Sequence, residues 1–342
     1  MRAMVIYQHG GPEVIQLHHM PQPQPGPGEV LVQLKAAALN HLDLYVRSQS
    51  SRSLSFPHIL GSDGAGIVAQ VGPGVSQVQV GDAVLTNPGI SCGVCEFCQQ
   101  GEHSMCLTYH LLGAGAMGTY AEFVKVPELN VAPLPSGVSF QEAAAFVLAY
   151  LTAWRMLIKR ARLQVGEDVL IMGAGGGVAC AALQLACHIG ARALVTSGSD
   201  EKLRRAQELG AAFGVNYRTQ DVVAEVRKFT NKRGVDVVVD NIGASTFESS
   251  LACLARGGRL VTVGAATGLP KGLDVHRLYW NQLTILGSTM GNRSEFSATL
   301  KLLGTGFRPI VDTVFPLEKA ADAHRYLEEQ RQFGKVVLDI SG

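Results

Sequence analysis

The spacing of apolar and polar positions divides the chain in two. From Met1 to about Val126, short apolar runs stand between glycine and proline turns, the pattern of a compact β-rich unit. Ala3 to Tyr7, Val30 to Ala36, Leu60 to Val68, Val80 to Leu85 and Gly118 to Val126 supply its strands. Pro21 to Gly28 is too proline-rich for a helix or a central strand and reads as a surface connector. Ala37 to Arg47 is helix-like and carries the polar cluster Asn40-His41-Leu42-Asp43-Leu44-Tyr45. Gln141 to Lys159 has a helical pattern and bridges into the second unit.

From Val169 onward strand and helix patterns alternate. Val169 to Met172 is an uninterrupted apolar run, as expected of a parallel strand buried on both faces. It leads into Gly173-Ala174-Gly175-Gly176-Gly177, after which Val178, Ala182, Leu185, Ala186 and Ile189 fall on one helical face. A tight glycine turn between strand and helix aims backbone N–H groups at a pyrophosphate, on the positive end of the helix dipole. Arg192 to Thr196, Val215 to Tyr217, Val235 to Asp240, Arg259 to Val263 and Leu283 to Leu286 follow as strands. Between them lie a helix capped by Asp200, one from Asp221 to Phe229, and one from Thr246 to Ala255 ended by Gly257-Gly258. Repeated strand–helix–strand units predict an α/β fold with a doubly wound parallel sheet that binds ligands at the carboxyl ends of its strands. Past Ser288, a helix, a strand near Ile310 to Val314, a helix from Leu317 to Glu329 and a strand from Lys335 to Ile340 return to the first unit. The expected division is 1–151 with 289–342, and 152–288.

Composition narrows the partners. A net charge of +1 over 342 residues argues against nucleic acid, whose binding usually leaves a basic excess. No charge-free, glycine-free stretch is long enough to span a membrane, and Met1 to Pro12 does not read as a signal peptide, so the expected location is cytoplasmic. Seven cysteines in such a chain point to metal or chemistry before disulfides. Cys92, Cys95, Cys98 and Cys106 form C-x2-C-x2-C-x7-C, four soft ligands on one loop. They predict one closed-shell structural zinc per chain, with an iron–sulfur cluster as the alternative. Cys180, Cys187 and Cys253 lie in apolar helical stretches and read as core.

Gly64-Ala65-Gly66-Ile67-Val68, Val71-Gly72, Val80-Gly81-Asp82-Ala83-Val84, the cysteine loop, Gly118-Thr119-Tyr120-Ala121-Glu122, the glycine turn and Gly334-Lys335-Val336-Val337-Leu338 occur in the order of the medium-chain dehydrogenase/reductase superfamily. The chain resembles it over essentially its whole length, which implies a GroES-like catalytic domain beside a Rossmann domain. The alcohol dehydrogenases of that superfamily hold a catalytic zinc at positions matching Asn40, Gly61-Ser62-Asp63 and the neighbourhood of Leu148. The usual ligands are absent here, and Leu42 and Tyr45 stand where those enzymes carry a proton relay. Asn40-His41-Leu42-Asp43-Leu44-Tyr45-Val46-Arg47-Ser48 instead looks like the quinone reductase pattern N-x-x-D-x-Y-x-R-S. A repurposed zinc site of His41, His58 and Asp63 is a further alternative, and Arg47 reads as solvated.

The resemblance also implies the cofactor. The fingerprint register is Ala174-x-Gly176-x-x-Ala179, with Gly175, Gly177, Val178, Asn241 and Gly264 also facing the dinucleotide. The acid that binds the ribose 2′-hydroxyl of NAD falls on Gly198. Ser197, Ser199, Lys202 and Tyr217 suit a 2′-phosphate, so NADPH is expected over NADH. Thr152 matches a position beside the nicotinamide and Lys335 one near the pyrophosphate. Asn40 is expected to orient the substrate oxygen or the cofactor amide, and Tyr45 is the candidate proton donor. The expected activity is hydride transfer to a small quinone, enone or other carbonyl without catalytic zinc. A zinc-dependent alcohol dehydrogenase with atypical ligands and a non-enzymatic dinucleotide-binding protein are the competitors. An apolar, uncharged edge strand at Leu283 to Ser288 predicts a homodimer, or a homotetramer as in some relatives. Pocket size is expected to depend on the loops Gln49 to Phe56 and Gly268 to Trp280.

Overall fold

The computed structural model describes residues 1–48 and 54–341; most of the Gln49-to-Phe56 loop therefore lies outside the described residues. The chain divides into two compact units, Met1–Leu148 with Gly291–Gly342, and Ala149–Met290. These boundaries fall a few residues from those read in the sequence. No helix among the described residues is long and apolar enough to cross a membrane.

The first unit is β-rich. Its largest sheet runs in the order Val131–Pro133, Ala83–Thr86, Asp63–Val71, Glu29–Ala38, Lys335–Asp339 and Val311–Pro316, with Phe123–Pro127 also paired to Glu29–Ala38. Glu29–Ala38 is the long central strand, and its apolar face, including Val30, Val32 and Leu34, lies in a core with Tyr120, Leu112 and Leu338. The returning strand Lys335–Asp339 pairs antiparallel with it, Val337 opposite Ala38. That pairing carries Lys335 to the end of the strand from which Asn40 emerges. The helix His41–Ser48 follows at once, with Asp43, Val46 and Arg47 turned inward.

The second unit is a six-stranded parallel sheet in the order Phe213–Asn216, Arg192–Ser197, Asp168–Ile171, Val235–Asp240, Leu254–Thr262, Thr284–Gly287. Val169, Leu170 and Ile171 are fully buried, as their unbroken apolar run requires. The order reverses between Asp168–Ile171 and Val235–Asp240, the switch point at which such sheets bind ligands. The edge strand Thr284–Gly287 is apolar and half-exposed at Ile285 and Leu286.

Three local readings change. The helix Phe247–Cys253 stops earlier than its pattern suggested, and Arg256-Gly257-Gly258 lies within the strand Leu254–Thr262. Extra residues are accommodated there as an irregularity between the Val235 and Val237 pairings, with Gly257 at φ +74°. Ser199, not Asp200, caps the helix Asp200–Glu208, its side chain accepting from the Lys202 N–H. Cys180 and Cys253 are buried as expected, whereas Cys187 is only half-buried.

Candidate functional site

The dinucleotide turn lies in the second unit. Asp168–Ile171 ends at a turn in which Gly173 has φ +78° and Gly175 φ +109°, conformations that glycine adopts without cost. The Gly173 N–H donates to Thr196 Oγ1 at 3.1 Å, and the Ala174 N–H to Thr196 O at 2.7 Å, tying the turn to the neighbouring strand. The helix Gly177–Ile189 then starts at Gly176, which supplies no side-chain cap. The first-turn amides of Gly177 and Val178 therefore face outward without a capping oxygen, as an anion site requires.

Ser197, Ser199, Tyr217, Asn241 and Gly264 lie at or just past the carboxyl ends of strands of this sheet, Lys202 in the helix Asp200–Glu208 and Thr152 on the helix Phe140–Trp154. Ser197 pairs with Asn216, so the chain segments that begin at Gly198 and Tyr217 leave adjacent strand ends. Thr152 is buried, its hydroxyl 3.6 Å from Met290 Sδ. Asn241 and Gly264 follow the strands Val235–Asp240 and Leu254–Thr262. The loop at Asn241 is shaped by a residue that the sequence did not single out. Buried Asp240 accepts from the Ile242 N–H at 2.8 Å, the Thr246 hydroxyl at 2.8 Å and the Ser250 hydroxyl at 2.7 Å. Asp240, Thr246 and Ser250 lie close in the sequence, and only the folded loop distinguishes Asp240 from an ordinary strand-end acid.

A buried polar cluster occupies the first unit at the positions matching a catalytic zinc site. Asp63 is fully buried and Lys335 is 4% exposed. Lys335 Nζ donates to Asp63 Oδ2 at 2.9 Å and to Asn40 Oδ1 at 2.6 Å. Asn40 Nδ2 donates to Asp63 Oδ2 at 2.9 Å, and the Leu148 N–H to Asp63 Oδ1 at 2.9 Å. Asn40 thus spends its amide on Asp63 and Lys335. The Lys335 ammonium is bonded to a carboxylate and an amide inside its own unit. His58 Nε2 lies 3.0 Å from Gly113 O, and His41 is exposed, so His41, His58 and Asp63 do not assemble as metal ligands.

Asp43 sets Asn40. Its Oδ2 accepts from the Asn40 N–H at 2.8 Å and from the Tyr120 hydroxyl at 2.9 Å. Burial pushes the Asp43 carboxyl up to about 6, against the pull of those two donors. Tyr45, on the opposite face of the same helix, is 49% exposed. Arg47 is not solvated. It is 2% exposed, donates to Gly10 O and lies 3.0 Å from His324 Nδ1, and it pairs with Glu328. Burial, with the Arg47 charge adding to it, drives His324 down to about 3.

That shift has a sign. The unfolded chain takes up a proton on His324 below pH about 6.5, which the fold refuses until about 3, so stability falls with pH across that window. Asp43 opposes it between about 6 and 3.8, because the fold protonates first. His324→Gln keeps an acceptor for Arg47 and removes the titration. Urea unfolding at pH 7.5 and 4.5 is expected to show an acid loss smaller by about 2–3 kcal/mol in this variant. An unchanged difference between the two pH values rejects the assignment.

The four-cysteine loop folds as a cluster. The sulfurs of Cys92, Cys95, Cys98 and Cys106 all lie within 4.8 Å of one another. Cys92 and Cys106 are 3.5 Å apart and Cys92 and Cys98 4.0 Å. A tetrahedron with Zn–S bonds of about 2.3 Å has edges of about 3.8 Å, so the donor set fits zinc. The Cys92 N–H donates to Cys106 Sγ at 3.2 Å and the Cys95 N–H to Cys92 Sγ at 3.3 Å.

Comparison with known proteins agrees with both units. Residues 26–136 match the alcohol dehydrogenase GroES-like domain and residues 177–305 the zinc-binding dehydrogenase family. An NAD-dependent alcohol dehydrogenase of Sulfolobus acidocaldarius is 34% identical over 100% of both chains. The Homo sapiens quinone oxidoreductase is 30% identical over 99% of this chain and 97% of its own. A crystal structure of an NAD-dependent alcohol dehydrogenase superposes with TM-score 0.96 at 49% identity, covering 99% of this chain and 100% of that one.

Proposed function

Because the chain belongs to the medium-chain dehydrogenase/reductase superfamily, we propose that it reduces a quinone, enone or other small carbonyl with NADPH and without a catalytic metal. It is an oxidoreductase that uses a nicotinamide dinucleotide; the proposal concerns which coenzyme, which substrate and what polarises it. The observation that carries it is the Asp63 cluster. The carboxylate at the one surviving metal-ligand position has both oxygens engaged, by Lys335, Asn40 and the Leu148 N–H. A Lewis acid is one way to polarise a carbonyl, and fixed donors are another.

When bound, a nicotinamide dinucleotide would supply a hydride for the carbonyl carbon, or for the β-carbon of an enone. The Gly173–Val178 turn holds the pyrophosphate with backbone amides. Gly198, Ser197, Ser199, Lys202 and Tyr217 receive the adenosine ribose end. Tyr45 presents its hydroxyl as the proton donor to the substrate oxygen. Cys92, Cys95, Cys98 and Cys106 would hold a zinc with four thiolates, a ligand set that serves structure rather than chemistry. The edge strand Thr284–Gly287 pairs with a second copy in a homodimer.

The alternative, NADH with an alcohol, is favoured by the names of the two dehydrogenase relatives. One preparation separates the readings. Turnover is measured with NADPH and NADH on an enone, a quinone, an aldehyde and an alcohol, with metal content and molar mass determined on the same sample. NADPH-dependent reduction at about one zinc per chain in a dimer is expected. Alcohol oxidation with NAD, lost when a second zinc is removed, overturns the proposal.

A further inference from the structure

Pairing of Ser197 with Asn216 sets the ends of the strands Arg192–Ser197 and Phe213–Asn216 side by side. Gly198 leaves the first, Tyr217 and Arg218 the second. A Cβ built on Gly198 would lie 2.8 Å from Arg218 Nε and 2.8 Å from the Tyr217 hydroxyl oxygen. These side chains already occupy the volume in which an NAD-selecting acid would stand. The nearby acid is turned aside: Asp200 Oδ1 accepts from Asn216 Nδ2 at 2.6 Å. Asn216 also fixes the backbone, its Oδ1 accepting from the Arg218 N–H at 3.1 Å. Among the described residues, no carboxylate pairs with the exposed Arg218 guanidinium.

We propose that Arg218 selects the coenzyme by taking its adenosine 2′-phosphate, and that Gly198 lacks a side chain so that Arg218 can fold across it. The inference rests on the NADPH reading above and adds a residue to it. A guanidinium offers a planar fork of donors that matches a phosphate, and an exposed one loses little hydration in binding. In place of a carboxylate that repels a 2′-phosphate, this chain puts a cation in the same volume. A change of Gly198 to Asp would therefore meet Arg218 and neutralise it.

Binding is measured by calorimetric titration of wild type, Arg218→Gln and Arg218→Lys with NADPH, NADH, 2′,5′-ADP and 5′-AMP. Arg218→Gln is expected to weaken NADPH and 2′,5′-ADP by about tenfold to a hundredfold, leaving NADH and 5′-AMP within about threefold. Arg218→Lys restores part of the loss, because it returns the charge without the fork. Equal loss for phosphorylated and unphosphorylated ligands assigns Arg218 a structural role and overturns the proposal, as does no loss at all. Wild type binding NADH more tightly than NADPH overturns the NADPH reading and this inference with it. Wild type preferring NADPH with Arg218→Gln unchanged overturns this inference alone. Thermal melts of the variants confirm that each is folded.

Discussion

Replacing Lys335 with Met is expected to destabilise the protein by about 3–5 kcal/mol, the usual cost of leaving a buried charge without its partner. Asp63 has no exposed surface and Lys335 almost none, so water cannot take over the ammonium's place. The carboxylate would keep only the Asn40 amide and the Leu148 N–H. Adding Asp63→Asn removes the orphaned charge and should return more than half of the loss at pH 7. Urea unfolding of the two variants and wild type measures both effects. A single-variant loss under about 1 kcal/mol, or no rescue by the second change, contradicts a buried ion pair at this site.

That cluster marks the limit of what the sequence discloses. The glycine turn and the four cysteines are legible because their meaning lies in short spacings along the chain. Asn40, Asp63 and Lys335 come together only through sheet pairing, Val337 opposite Ala38 and Ala38 opposite Asp63. No local pattern links Lys335 to Asn40 across a separation of 295 positions. Arg47 shows a different failure. Asp43 and Arg47 stand one helical turn apart, a spacing that places both on one face, and two charges on a face ordinarily mean solvent. Val46 on the same side was the available sign that this face turns inward, but charged residues are buried only when partners exist, and His324 and Glu328 are contributed by a helix near the other end of the chain. Arg218 is hidden from the sequence for a third reason. The acid missing at Gly198 is visible in the sequence, whereas the arginine filling its volume depends on the register of two parallel strands.

Removing one zinc ligand should separate the two units' behaviour. Cys98 is buried, with its sulfur 4.0 Å from Cys92 Sγ. Cys98→Ser leaves three thiolates and a hydroxyl that does not ionise near neutral pH, so the tetrahedral shell cannot close. Metal analysis is expected to fall from about one zinc per chain to under about a tenth. Beyond that chemistry, the lobe has little to replace the ion. Val94, Met105 and Leu107 around the cysteines are exposed rather than packed, and the only regular elements between Cys92 and Cys106 are the short helical turns Glu96–Gln99 and His103–Met105. Binding energy of a structural zinc is folding energy for the segment that holds it. Limited proteolysis should therefore cut the variant between about residues 92 and 108 while wild type resists, and chelation of wild type at elevated temperature should reproduce the cleavage. The dinucleotide turn belongs to the other unit and makes its contacts there, so the dissociation constant for the coenzyme should stay within about threefold. A variant that retains its zinc, or one whose lobe resists protease after losing it, removes the metal from the account of how this loop folds.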